Sequence, residues 1–268
     1  GRVIAAVVMI GGPILLVSLV GAVALLIFEE WRRVVTGVSQ VESKMHILVC
    51  GWNPKARDAI EELRLSQMFR KRPIIIIDDK VDAKPIEDAK VTFVRGSPAD
   101  TAILERANVR QAGFAIVFAE DAAPAADQKT ALTVLAVKNL NPMIQISAEL
   151  NDIRNEPHLR RAGCDVVVNT ADLTSKLLAL SIENPAINSV IKELVSRNRG
   201  NEVYHVECPP RYLDRPFEEP YRELKGSNNV VVIGLERGGE CLINPASDVD
   251  MQHGDFLLVI SEESPSLE

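Results

Sequence analysis

The chain has 268 residues, 47% of them hydrophobic and 4% aromatic, with 30 Lys and Arg against 37 Asp and Glu for a net charge of −7. That length suggests about two folded units, and the acidic balance weighs against nucleic acid as a partner, because a phosphate backbone needs a basic surface. The charges are also segregated: residues 3–28 contain no Asp, Glu, Lys or Arg, which excludes a simple soluble enzyme.

As a helix, this apolar run would span about 39 Å, enough to cross a bilayer core of about 30 Å with some tilt. It is longer than the apolar region of a signal peptide, so residues 1–33 are predicted to form a transmembrane helix. Gly11, Gly12 and Pro13 interrupt it. Two readings stand side by side: Gly11 and Gly12 as a hinge, or small residues that let a neighbouring helix approach. After the run come Trp31, Arg32, Arg33 and Lys44, against Arg2 alone before it. Basic residues collect on the cytoplasmic side, so the remainder is expected to be cytosolic. Residues 34–45 turn polar and read as a linker.

From residue 46 a regular alternation begins. Apolar runs at 46–52, 73–79, 91–95, 114–118, 143–148 and 165–168 predict parallel strands, separated by helical spacing at 54–69, 99–107, 127–139 and 156–162. Residues 46–169 are therefore expected to form a doubly wound parallel, Rossmann-like sheet. Residues 170–199 form a crossover of two helices split at Asn184 and Pro185, rich in Leu. It either packs on a partner or covers its own sheet. Residues 200–268 read as a small C-terminal α+β lobe, with antiparallel strands at 203–207, 230–236, 241–243 and 256–260. The fold class is α/β with an N-terminal transmembrane helix.

A doubly wound sheet binds ligands beyond the carboxyl ends of its strands. Those ends carry Gly51 and Asn53, then Asp78 and Asp79, Gly96, Glu120 and Asp121, and Glu149 with Asp152. The turn from Gly51 to Ala56 is a GxGxxG pattern with Asn53 at the second glycine and Ala56 at the third. Asp78 or Asp79 stands where a ribose-binding carboxylate would, so Gly51, Asn53, Asp78, Asp79 and Gly96 are the candidate nucleotide residues. A ligand-free turn is the competing reading. The gathered carboxylates suit Ca²⁺, or else are solvated or cap helices, as Asp127 could.

Cys50, Cys164, Cys208 and Cys241 are widely spaced with no CxxC pair, and the four histidines are scattered, which argues against disulfides and zinc. Cys50, beside the crevice, is either a reactive thiol or a small core residue. No GxSxG, HExxH or GxxxxGK[ST] pattern occurs, so the chain is not expected to be an enzyme.

The order of these parts, with Gly96-Ser97-Pro98-Ala99-Asp100, Leu104, Ala107-Asn108-Val109, Ser147-Ala148-Glu149-Leu150 and the stretch 159–165, resembles the regulator of K⁺ conductance (RCK) family of ligand-gated channels. Within it, residues 151–157, Ile243-Asn244-Pro245 and Gly254-Asp255 are most similar to the Castor and Pollux type. The resemblance implies a TrkA-N type lobe at 46–169, a TrkA-C type lobe in the tail and a pore-lining inner helix. It also implies a homotetramer whose lobes form a gating ring beneath the bilayer.

By that resemblance Glu149 matches a position that helps bind Ca²⁺ in calcium-gated members. The companion position is Asn151 and the fourth strand ends at Phe118, so Asp152, Glu156, Glu120 and Asp121 are the other candidate ligands. Ca²⁺, NAD and ATP are the implied ligands, and K⁺ or Ca²⁺ the permeating cation. A selectivity filter such as TVGYG is absent from the sequence, which begins at Gly1; the expectation is a fragment starting after the filter. The alternatives are a nucleotide-binding regulatory subunit of a K⁺ transporter and a membrane-anchored NAD-dependent oxidoreductase.

Overall fold

The computed structural model describes residues 1, 19–25, 40–120, 125–197 and 200–267. Most of the predicted transmembrane helix, including Gly11 and Gly12, lies outside them, as does the first half of the linker. Residues 19–25 are helical, with Leu19, Val20, Val23 and Leu25 exposed. Among the described residues no helix is long and apolar enough to cross a membrane.

The chain divides into two compact units, Gly1–Arg64 with Met68–Thr174, and Leu65–Gln67 with Ser175–Glu268. In the first, strands β1 (Ile47–Cys50), β2 (Ile74–Asp78), β3 (Val91–Arg95), β4 (Phe114–Val117), β5 (Gln145–Leu150) and β6 (Val166–Asn169) form one parallel sheet in the order β3-β2-β1-β4-β5-β6. Alternation along the strands feeds two cores. Leu48, Cys50, Ile75 and Ile77 point to one face, and Ile47, Val49, Ile74 and Ile76 to the other. Both faces are buried, which explains the unbroken apolar runs that β1 and β2 present in sequence.

Helix α1 (Pro54–Leu65) buries Ala56 and Ile60 against the second core, and it stops four residues before the predicted end. Helix α2 (Thr101–Arg106) starts later than predicted because Asp100 caps it, its carboxylate accepting from the Ala102 N–H at 2.8 Å. Helix α3 (Ala126–Leu140) and helix α4 (Glu156–Arg161) complete the unit. Gly96, at the end of β3, has φ +147°, and a Cβ there would stand 2.5 Å from Ile103 Cδ1, so only glycine fits.

Helices α5 (Thr170–Glu183) and α6 (Ala186–Val195) break at Asn184-Pro185 as read from sequence, and neither contains a buried residue. Leu178, Ile182 and Val195 are exposed.

The second unit is an antiparallel sheet ordered β7-β10-β8-β9, from β7 (Glu202–Glu207), β8 (Val231–Arg237), β9 (Glu240–Ile243) and β10 (Phe256–Ser261). Helix α7 (Glu218–Asn228) packs on it through buried Leu224. The sequence gives no clear sign of α7, because its apolar positions are too few to make a stripe. Gly234 on β8 has no room for a side chain, since a Cβ would collide with the Leu242 carbonyl of β9.

Candidate functional site

The strand order reverses between β1 and β4, where the crossovers leave in opposite directions and open a crevice at the carboxyl end of the sheet. A cleft of about 240 Å³ lies there, and Gly51, Asn53, Asp78, Asp79, Lys80, Glu120 and Lys129 are among its lining. Four of the five predicted nucleotide residues meet in it. Gly96 is the exception: its glycine serves the packing of α2, not the lining.

Gly51 has φ +89°, and a Cβ on it would come within 3.1 Å of the Phe118 carbonyl, so the turn after β1 passes close under the end of β4. Asn53 caps α1, its Oδ1 accepting from the Ala56 N–H at 2.9 Å while its carbonyl accepts from Ala56 and Arg57. Pro54 at the first helical position has no N–H. The N–H groups of Ala56 and Arg57, which in a glycine-rich turn could face a pyrophosphate, are thus already satisfied by Asn53.

Asp78, 4% exposed, is a brace. Its Oδ2 accepts from the Trp52 N–H at 2.7 Å, and its Oδ1 from Lys80 and Val81 at 2.7 and 3.0 Å. A carboxylate has about four acceptor positions, and three of them are used here. Across the cleft, Glu120 pairs with Lys80 at 2.8 Å and with Lys129 at 2.5 Å, and Lys129 also reaches Asp79 at 3.3 Å. The hydrogen bond from Lys129, then that from Lys80, holds the Glu120 carboxyl below the usual range.

The predicted metal ligands do not converge, and among the described residues no group of His, Cys, Asp and Glu is arranged to hold a metal ion. Each carboxylate already has its own donors. Glu149 accepts from Lys55 Nζ at 2.8 Å, Thr170 Oγ1 at 3.0 Å and the Ala119 N–H at 3.1 Å. Asp152 is tied to Arg154, Glu156 to Arg160, and Glu120 to the two lysines. Asp121 lies outside the described residues.

Asp127, read as a possible helix cap, instead holds the loop after β5: buried, it accepts from the N–H groups of Asn151 and Asp152 and from Asn155 Nδ2. Lys80, Lys129, Lys55 and Thr170 were not anticipated. Lys80 directly follows the aspartate pair and was within reach of a local reading, whereas the others join the site only through the fold.

Cys50 lines the cleft but is buried, and desolvation pushes its thiol up to about 12; burial likewise raises Cys164, and Cys208 to about 11. Cys241 alone is exposed. Native protein treated with an aromatic disulfide at pH 8 is expected to release one equivalent of thiolate rapidly and the other three only on unfolding. A second fast equivalent, lost in Cys50→Ala, would make Cys50 a reactive thiol.

The family model described as the TrkA-N domain matches residues 47–170. This part of the chain is a TrkA-N domain. The whole chain is similar to the calcium-gated potassium channel TvoK of Thermoplasma volcanium, 25% identical over 273 residues, which are 100% of this chain and 76% of that protein. It is 24% identical over 278 residues to the ion channel CASTOR of Lotus japonicus, covering 98% of this chain and 32% of that protein. The chain therefore spans about three quarters of the first relative and a third of the second. The human SLO3 gating ring shares the fold, with a TM-score of 0.65 at 18% identity over 81% of this chain and 44% of that one. The TrkA-N domain holds the entire crevice.

Proposed function

We propose that the chain is the regulatory part of a membrane cation channel and that the TrkA-N crevice binds an adenine nucleotide, NAD or ATP among them, to bias the pore. The observation that carries the ligand is the cleft at the strand-order reversal, lined by the positive-φ turn at Gly51 and by the Asp78 carboxylate, where a ribose hydroxyl would bind. The relatives named as potassium or ion channels, which match nearly the full chain, support the channel reading. In this reading residues 1–33 are the inner helix with its hinge at Gly11 and Gly12, residues 34–45 the linker, and the rest is cytosolic. The exposed apolar residues of α5 and α6 pack between subunits of a tetrameric ring. Binding then moves the pore only to the extent that affinity differs between its open and closed states.

A second reading, a Ca²⁺-sensing lobe, rests on the relative named as calcium-gated. The described candidate carboxylates are each engaged elsewhere, which favours the nucleotide. Calorimetric titration of the full chain in detergent with ADP, NAD⁺, ATP and Ca²⁺ tests both. Nucleotide heat is expected, together with a change in tryptophan emission that disappears in Trp52→Phe, because Trp52 lines the cleft. Heat from Ca²⁺ alone would select the second reading.

A further inference from the structure

We propose that Glu120 is an internal competitor for the crevice's ligand: its carboxylate fills the place between Lys80 and Lys129 that a ligand's diphosphate takes on binding. This rests on the nucleotide reading of the crevice and says how that site is controlled.

Lys80 stands two residues past the end of β2 and Lys129 lies in the first turns of α3, so they reach the cleft from different elements. One carboxylate spans them, Oε2 on Lys80 at 2.8 Å and Oε1 on Lys129 at 2.5 Å. Several donors that an anion could use in this cleft are already taken. At the start of α1, Pro54 offers no N–H and Asn53 has claimed those of Ala56 and Arg57, while the donors around Asp78 are spent on Asp78 itself. The lysine pair is the cationic feature of the lining, and Glu120 occupies it.

The Glu120 side chain and main chain are held by different groups, the carboxylate by Lys80 and Lys129. The main-chain carbonyl accepts from Asn151 Nδ2 at 3.3 Å, and the side chain is 28% exposed. Displacement needs a group that compensates two ammonium ions at least as well as a carboxylate does. A neutral nucleoside does not qualify. Asp79, 3.3 Å from Lys129, keeps part of that lysine's charge, so a singly charged group gains little and a diphosphate is the class that fits.

The test is calorimetry on the full chain in detergent with ADP, inorganic pyrophosphate and adenosine, comparing wild type, Glu120→Gln, Glu120→Gln with Lys129→Gln, and Glu61→Gln. Glu61 is exposed on α1 outside the cleft lining, and its replacement removes the same charge. Glu120→Gln is expected to bind ADP and pyrophosphate at least tenfold more tightly than wild type, with adenosine unchanged. The gain should vanish when Lys129 is also replaced and should be absent in Glu61→Gln. Wild type and Glu120→Gln binding ADP equally would overturn the role of Glu120 and leave the crevice reading standing. An equal gain in Glu61→Gln would reduce the effect to overall charge and overturn it as well. Absence of ADP and pyrophosphate binding in every variant would overturn both.

Discussion

Replacing Arg237 by Leu is expected to destabilise the second unit by about 3–5 kcal/mol, the range for removing one partner of a buried ion pair. Asp255 is 1% exposed and takes the Arg237 guanidinium as a fork, Nε on Oδ1 at 2.8 Å and Nη2 on Oδ2 at 2.7 Å. Arg237 also donates to the Asp250 carbonyl at 2.8 Å, and the Gln252 N–H donates to Asp255, so the pair ties the end of β8 to the turn before β10. Without the arginine, a carboxylate is left buried with a single N–H for company. Lysine should restore little, because it cannot supply the two parallel bonds.

The pH dependence has a definite sign. The hydrogen bond from Arg237 is the main cause holding the Asp255 carboxyl below its ordinary range. Its stabilisation is therefore complete above the unfolded value of about 3.9 and is lost as pH falls through the lower folded value. The deficit of Arg237→Leu should be largest near pH 7, narrow on acidification, and shrink at pH 7 when Asp255→Asn is added. All three tyrosines, at 204, 212 and 221, lie in this unit, so tyrosine emission during urea unfolding reads it directly. Equal deficits at pH 7 and pH 3.5 would show that lost packing of the arginine stem, not the charge, is responsible.

How far the sequence could be read followed from how local each signal is. The parallel strands announced themselves because burial on both faces demands continuous apolar runs, as in Ile74–Asp78. The break at Asn184-Pro185 was equally plain, since proline ends a helical hydrogen-bond ladder. Helix α7 was missed because it is anchored mainly by Leu224 and is otherwise polar, so no periodic stripe exists to read. At the site, residues at strand ends could be placed in the crevice by topology alone, which brought Gly51, Asn53, Asp78 and Asp79 together. What topology cannot give is the partner of each carboxylate. Glu149, Asp152 and Glu156 look like a cation site only until Lys55, Arg154 and Arg160 arrive, and the first of these comes from 94 residues away.

That distant pairing sets the second large expected effect. Lys55→Met should cost about 2–3 kcal/mol, below the range for breaking a fully buried pair because Lys55 is itself partly hydrated. Glu149 is 5% exposed and Lys55 39%. Without the ammonium, Thr170 and the Ala119 N–H are left to stabilise a buried carboxylate. Glu149→Gln removes the charge and keeps an acceptor, so it should cost less, about 1–2 kcal/mol. The order matters more than the sizes. If Glu149→Gln proved the more damaging, the hydroxyl and backbone bonds would dominate and Lys55 would be a surface contact.

Glu149 joins α1, the end of β4 and the first residue of α5, the helix that carries the chain into the second unit. Loosening it should therefore be felt locally before it is felt globally. Amide exchange at Ala119 is expected to rise in Lys55→Met under conditions where the central strands β1 and β2 stay protected. Faster exchange spread evenly over the sheet would instead mean that Glu149 acts through overall stability and does not hold these elements together.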